Sequence, residues 1–153
     1  MKQLNCILLI DDDEPTNFLN KMILEQSGCT RHIRIAQSGQ AALEYLRGIR
    51  VGLPEFPGNA ESSLYGSGAV DDCPRPDLIF LDINMPAMDG WEFLAQYQTL
   101  PAEKKADTVL IMLTTSLNPD DEKRTLEIPE VSGFENKPLT QGQLERLLNK
   151  YFN

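Results

Sequence analysis

Three carboxylates stand directly after two apolar runs of the sequence, where they are placed to bind a metal ion. Asp11 and Asp12 follow the apolar residues 6–10, and Asp82 follows the apolar residues 78–81. Carboxylate oxygens are hard ligands that suit Mg²⁺, an ion that keeps several waters and commonly binds phosphate as well. An aspartate can also act as a nucleophile and form an aspartyl phosphate. Taken alone, Asp82 is more simply interpreted as the cap of its own turn. For Asp11 and Asp12, a cation site is at least as well supported as an acidic turn that begins a helix.

A hydroxyl group and a lysine follow two further apolar runs of the sequence. Thr114 follows residues 109–113, and Lys137 follows the weaker run 131–134. A cation neutralises phosphoryl oxygens and a hydroxyl donates to one, so these groups around a metal-bound carboxylate suit phosphoryl transfer. Acids, a hydroxyl and a lysine at four separate run ends favour this hypothesis over four unrelated turns.

The elements that must position these side chains alternate between strands and helices. Uninterrupted apolar runs such as residues 78–81 predict strands buried on both faces of a parallel sheet. Helices are predicted between them, and one apolar face of the first helix is predicted at Phe18, Leu19, Met22 and Ile23. Five repeats of this alternation predict a doubly wound α/β sheet with right-handed crossovers. In such sheets ligands bind at the carboxyl ends of the strands, where all the polar residues above fall.

Length and composition bound the classes of protein to consider. The 153 residues predict a single domain without an effector domain, interrupted by a long inserted loop at about residues 48–76. A loop of that length is expected to be functional or disordered. The net charge of −9 argues against direct nucleic-acid binding, which needs a basic surface. No apolar run is long enough to cross a membrane, and no signal peptide is visible, so a cytoplasmic location is expected.

The combined set of motifs resembles the receiver domain of two-component response regulators. The residues that carry the resemblance are Asp11-Asp12, Asp82-x-Asn84-Met-Pro86-x-Met-Asp89-Gly90, Thr114 and Phe134-x-x-Lys137-Pro138. The resemblance implies a flavodoxin-like fold, with five parallel strands in the order 2-1-3-4-5 and helices on both faces. It also implies a single-domain response regulator that accepts a phosphoryl group from a sensor or hybrid histidine kinase. Phosphorylation is then expected to switch the surface of the fourth and fifth strand–helix units for binding a downstream protein.

The resemblance further implies which residues hold the phosphate and the metal. Asp82 is expected to be the phosphoacceptor, and Asp12 and Asp82 are expected to bind Mg²⁺ directly. The backbone carbonyl of Asn84 is expected to be a third ligand, while Asp11 acts mainly through water. The spacing of the acids to the proline that follows them also permits Asp12 and Asp13 as the pair. Asp11 and Asp12 are preferred because this pairing places Leu19 and Ile23 in core positions of the family.

Further roles are implied for residues around the acceptor. Lys137, Thr114 and Thr115 are expected to bind the phosphate, Thr114 and Phe134 to switch together, and the bond before Pro138 to be cis. Asn84 and Ser116 are expected to flank the path of the hydrolytic water and so to tune dephosphorylation.

The chain departs from the family pattern at Thr115, which is bulkier than the small residue common there and narrows access to the site. Other departures are the insertion and Pro129, which shortens the fourth helix.

Two alternative functions use the same fold. A Mg²⁺-dependent phosphatase of the haloacid dehalogenase type also has a nucleophilic aspartate at a strand end. That class requires a second acid two residues later, where this chain has Asn84. A receiver-like binding module that is not regulated by phosphorylation usually lacks an acid or the lysine, and both are present here. The protein is therefore expected to be a switch that catalyses only its own phosphorylation and dephosphorylation.

Overall fold

The computed structural model describes residues 3–48, 55–57, 75–105, 107–115 and 118–152 of the chain. Its strands are β1 Leu4–Ile10, β2 Thr30–Ala36, β3 Glu55–Pro57, β4 Leu78–Leu81, β5 Val109–Thr114 and β6 Gly133–Asn136. Its helices are α1 Glu14–Ser27, α2 Gly39–Leu46, α3 Gly90–Tyr97, α4 Ala102–Lys105, α5 Pro119–Leu126 and α6 Gln141–Phe152. Across the described ranges, no helix has both the length and the apolar character needed to cross a lipid bilayer.

The strands form one sheet in the order β3-β2-β1-β4-β5-β6. The pairs β1–β2, β1–β4, β4–β5 and β5–β6 are all parallel. For the five parallel strands this is the predicted order 2-1-3-4-5, and the flavodoxin-like fold is confirmed. Sequence order reverses on either side of β1, so the carboxyl ends of β1 and β4 lie next to each other at the switch point of the sheet.

Strand β3 was not predicted, because it lies within the segment expected to be a loop. It pairs antiparallel with β2, with Phe56 opposite Ile33. The free edge of β2 offers unpaired backbone groups, which a short passing segment can satisfy without a strong sequence pattern of its own. The remainder of the expected loop, residues 49–54 and 58–74, lies outside the described residues.

Two apolar clusters cover the two faces of the sheet. Alternate residues of β1 enter different clusters, with Leu8 and Ile10 on one face and Ile7 and Leu9 on the other. Helices α2 and α3 complete the first cluster, and α1 and α6 complete the second. The uninterrupted apolar runs therefore reflect burial on both faces, as predicted.

The predicted apolar face of α1 is wrong. Phe18 and Leu19 are 55% and 58% exposed, and Met22 is also exposed, so the expected core position of Leu19 is not found. The residues of α1 that are buried are Asn17, Asn20 and Leu24. The rotation of the helix is fixed by a polar contact, because the side-chain amide of Asn17 donates to the backbone carbonyl of Asp11 at 2.8 Å. Ile23 is partly buried against the second cluster.

Candidate functional site

The adjacent ends of β1 and β4 bring the acids together. Ile10 pairs with Leu81, and the backbone N–H of Asp82 donates to the carbonyl of Ile10 at 3.0 Å. One carboxylate oxygen each from Asp11, Asp12 and Asp82 lies within 4.8 Å of the others. Asp11 and Asp82 are buried, whereas Asp12 is exposed, so the cluster opens to solvent on one side. Three convergent carboxylates with one open side fit a divalent cation such as Mg²⁺.

Lys137 supplies a cation to the same cluster. Its Nζ atom lies 2.6 Å from Oδ2 of Asp11 and 3.2 Å from Oδ1 of Asp82. The backbone N–H of Lys137 donates to the carbonyl of Thr114 at 2.8 Å, which ties the lysine to the end of β5. The peptide bond between Lys137 and Pro138 is cis. Burial disfavours the charged ammonium, but the hydrogen bond and charge of Asp11 and the charge of Asp82 raise the pKa of Lys137.

The carboxylate of Asp82 is held in an unfavourable environment for its charge. Burial, and then the neighbouring charge of Asp11, raise its pKa above the usual range for an aspartate. Lys137 and a hydrogen bond from the backbone N–H of Asn84 oppose this effect without cancelling it. A further cation at the cluster would therefore lower the free-energy cost of ionising Asp82.

The third acid of the acidic run has a different role. Asp13 is the N-cap of α1, and its carboxylate accepts hydrogen bonds from the backbone N–H of Thr16 at 3.0 Å and from the Thr16 hydroxyl. These bonds lower the pKa of Asp13. Its own backbone N–H donates to Oδ1 of Asp11 at 2.9 Å. The side chain of Asp13 is thus engaged by the helix end, and the acid beside Asp11 in the cluster is Asp12.

The turn after β4 packs tightly against the backbone of Asp82 and Ile83. Asp89 caps α3 in a capping box with Glu92. The backbone N–H of Gly90 donates to the carbonyl of Ile83 at 2.7 Å. A Cβ atom at Gly90 would lie 2.8 Å from the backbone oxygen of Asp82 and from the Cα atom of Ile83, so this position admits only glycine without movement of the backbone.

The remaining predicted residues surround the cluster at different depths. Thr114 is fully buried at the end of β5, and Phe134 of β6 is partly buried against the first apolar cluster. Asn84 is exposed. Thr115 is exposed and lines, together with Lys137, a groove of about 420 Å³. Ser116 lies outside the described residues, so its expected role in dephosphorylation stays a prediction.

The groove is largely apolar and runs beside the acidic cluster. The other residues that line it come from α1 and from the segment after β6: Thr16, Leu19, Asn20, Met22, Ile23, Gln26, Pro138 and Leu139. Three of the four residues predicted to form the apolar face of α1 thus line the groove next to the site: Leu19, Met22 and Ile23.

Sequence reasoning missed the two buried asparagines of α1. Asn17, Asn20 and Leu24 are spaced as i, i+3 and i+7, which is the spacing of a single helix face. That spacing was visible in the sequence, but an apolar criterion favoured the neighbouring face. Asparagine inside a helix is unfavourable without a partner, and this was the signal that could have identified them.

Comparisons with known proteins agree with this arrangement. A family model for the response regulator receiver domain matches residues 67–149. Response regulator Rcp1 from Synechocystis sp. is 32% identical over 115 residues, which cover 75% of this chain and 65% of Rcp1. The chain thus spans slightly less than two thirds of the length of that relative.

Solved structures share the fold over nearly the whole chain. A two-component response regulator from Cytophaga hutchinsonii is 30% identical with a TM-score of 0.77, over 99% of each chain. The phosphorylated cyanobacterial phytochrome response regulator RcpA is 26% identical, with a TM-score of 0.67 over 95% of this chain and 89% of RcpA. The Mn²⁺-bound form of Rcp1 is 28% identical, with a TM-score of 0.64 over 95% and 90% of the two chains. On the family match and the shared fold, the chain belongs to the response regulator receiver domain family.

Proposed function

We propose that this protein is a phosphorylation switch in which Asp82 accepts a phosphoryl group from the phosphohistidine of a sensor or hybrid histidine kinase. The observation that carries the proposal is the shared lysine: Nζ of Lys137 contacts both Asp11 and Asp82 within a cluster of three carboxylates. These contacts support an acceptor, a cation site and a phosphate-binding cation at one edge of the sheet. The phosphorylated form of the relative RcpA supports the same chemistry.

The acidic cluster is the proposed Mg²⁺ site. Asp12 and Asp82 are the proposed direct ligands, with the backbone carbonyl of Asn84 as a third and Asp11 acting through water. When bound, Mg²⁺ neutralises charge on the phosphoryl oxygens and on the clustered acids. The Mn²⁺-bound form of Rcp1 supports a divalent cation in this family.

In the transfer step, a carboxylate oxygen of Asp82 forms a bond to phosphorus while the phosphorus–nitrogen bond of the phosphohistidine breaks. The imidazole nitrogen leaves with the electron pair of that bond. Lys137 is already within 3.2 Å of Asp82, so it can pair with the phosphoryl oxygens without a large movement. Preorganised charge of this kind lowers the barrier because it does not have to be assembled during the reaction.

The conformational change on phosphorylation is proposed to be transmitted from Lys137 to β5 and β6. The lysine is bonded to the backbone of Thr114, and Phe134 lies in the adjacent strand opposite Met112. The hydroxyl of Thr114 is the proposed second donor to the phosphate, and Thr115 adds a contact at the mouth. A shift of Lys137 and Thr114 then changes the environment of Phe134 and the surface of α5 and β6 for a downstream protein.

The apolar groove beside the site is the proposed contact for the kinase. Phosphohistidine must reach Asp82, and the groove shares Lys137 and Thr115 with the mouth of the site. Exposed Phe18 and Leu19 supply an apolar rim on α1. Apolar residues clustered on a surface commonly mark a protein contact.

Intact mass measured after incubation with Mg²⁺ and phosphoramidate tests the proposal. The wild-type protein should gain the mass of one phosphoryl group, and Asp82→Asn should gain none while keeping its fold. No gain in the wild type would indicate a binding module that is not regulated by phosphorylation. Turnover of phosphate esters would instead indicate a phosphatase.

A further inference from the structure

The inner face of α1 places two buried amides directly below the acidic cluster. Asn17 is 2% exposed and Asn20 is 5% exposed. Nδ2 of Asn17 donates to the backbone carbonyl of Asp11 at 2.8 Å. Its Oδ1 atom is buried and has no hydrogen-bond partner among the residues that the structure describes. Buried amide oxygens are rarely left without a donor, so this atom points to a bound molecule.

A small cavity is lined by Asn17 and Asn20. Its volume is about 10 Å³, and its polar lining residues are Asp11, Asp82, Asn17 and Asn20. Four apolar residues close the remaining walls: Leu9, Ile10, Phe80 and Leu113. A space of this size holds about one water molecule, and a buried water needs two to four polar partners. The four polar side chains provide that number.

We propose that this cavity binds one structural water, which Asn17 and Asn20 hold against the carboxylates of Asp11 and Asp82. Asn17 and Asn20 are then positioning residues for the phosphoacceptor, a role that rests on the proposed function. The water donates one proton to Oδ1 of Asn17 and the other to a carboxylate, and it accepts a hydrogen bond from the amide of Asn20.

The water constrains Asp82 from the core side of the sheet. Lys137 and the backbone N–H of Asn84 already bond the same carboxylate. A carboxylate has about four acceptor positions, so a bond from below can coexist with these two and limit rotation of the group. Asn20 lines both the cavity and the 420 Å³ groove.

A crystal structure of the unphosphorylated wild-type protein at high resolution tests the water site by itself. We expect a water about 2.7–3.2 Å from Oδ1 of Asn17 and at similar distance from Asp11 or Asp82. A dry cavity in that crystal would overturn the proposal. This outcome is independent of phosphorylation, so it is distinct from a failure of the proposed function.

Kinetics of labelling by phosphoramidate test the positioning role. Asn20→Leu removes the amide that is proposed to donate to the water and leaves the bond from Asn17 to the backbone carbonyl of Asp11 in place. The labelling rate at saturating donor and Mg²⁺ should fall about tenfold, the effect of losing one hydrogen bond to a charged group, while the half-saturating donor concentration stays unchanged. An unchanged saturating rate would refute the role.

Thr125→Val is the matched control for this experiment. Thr125 is a fully buried polar residue on α5, and its hydroxyl bonds the carbonyl of Asp121 at 2.7 Å, within its own helix. This variant should lose stability but label at the wild-type rate. Equal slowing in both variants would overturn the positioning role, because the effect would then follow from stability. If Asn20→Leu does not fold, Asn20→Ala takes its place with the same expectation.

Discussion

Lys137 lies closer to Asp11 than to the proposed acceptor: its Nζ atom is 2.6 Å from Oδ2 of Asp11 and 3.2 Å from Oδ1 of Asp82. The lysine is therefore shared between the two acids in the unphosphorylated protein. Its backbone is also fixed to the end of β5 through Thr114. Under the proposed function, phosphorylation moves the ammonium from Asp11 towards the phosphoryl oxygens, and this displacement reports on the state of Asp82.

Lys137→Ala should separate the chemistry from the switch. Phosphoramidate should still label Asp82, since Mg²⁺ provides most of the charge neutralisation. The chemical-shift changes that phosphorylation produces in the wild type at β5 and Phe134 should be lost, because the link from the phosphate to β5 is gone. Amide NMR spectra before and after labelling measure both effects, with Lys150→Ala on the exposed face of α6 as the control. Wild-type shift changes in Lys137→Ala would contradict the role.

Asp82→Asn should stabilise the metal-free protein at neutral pH. Burial and the charge of Asp11 raise the pKa of Asp82 in the folded state, so the ionised carboxylate destabilises the fold. This cost is complete above the raised pKa and disappears as the pH falls towards the unfolded value of 3.8. The free energy of unfolding of the variant should therefore be higher than that of the wild type by on the order of 1 kcal/mol at pH 7, and this difference should shrink as the pH falls.

Urea unfolding with a chelator present, between pH 7 and pH 4, measures this difference. Glu145→Gln, at an exposed position of α6, should have the same free energy of unfolding as the wild type between pH 7 and pH 4. Addition of Mg²⁺ should stabilise the wild type and have less effect on Asp82→Asn, because ligand binding to the folded state adds to stability. A variant that is less stable than the wild type at pH 7 would contradict the expectation.

The sequence predicted what depends on strong and repeated patterns. The apolar runs at β1, β4 and β5 are buried on both faces, so their type and the strand end that carries Asp82 followed from the pattern. The order of the strands followed from the family resemblance instead. The orientation of α1 did not follow from the pattern, because the side chains of two asparagines face the polar site from its buried side. A search for apolar periodicity does not identify a buried face that contains amides. Strand β3 was missed because its pairing depends on the free edge of β2.

The site could be predicted as a set of residues but not as a geometry. Asp11, Asp82 and Lys137 were each assigned to a strand end, and parallel strands bring such ends to one edge. Which acid holds the lysine more closely depends on the path of the chain after β6. The alternative pair of Asp12 and Asp13 is disfavoured by the bond of Asp13 to Thr16, because this bond makes Asp13 the N-cap of α1.

Gly90→Ala should destabilise the protein and disturb the acceptor. The new Cβ atom would stand 2.8 Å from the backbone of Asp82 and Ile83, which are fixed by β4 and cannot move freely. Overpacking of this kind typically costs about 1–3 kcal/mol. The matched control is Gly142→Ala in α6, where a Cβ atom meets nothing within 4 Å.

Gly142→Ala should raise stability by up to about 1 kcal/mol, because alanine is the better helix former. Thermal unfolding of both variants gives the comparison, and phosphoramidate labelling should be slowed only in Gly90→Ala. Equal stability of the two variants would show that the turn after β4 relaxes around the added methyl group.

Thr115→Ala should speed labelling by small phosphodonors. Thr115 is exposed and lines the groove together with Lys137. Under the proposed function, its side chain stands at the entrance to the acidic cluster. Replacing the branched side chain by a methyl group widens that entrance without changing the buried acids, so the labelling rate should rise several-fold. The rate of phosphate loss should change little, because hydrolysis depends on a water in line with the P–O bond. Thr99→Ala, at an exposed threonine beyond α3, is the control and should leave both rates unchanged. Labelling and decay are followed separately by the phosphate-dependent mobility of the protein in gels. A labelling rate in Thr115→Ala equal to that of the wild type would show that this side chain does not limit donor access.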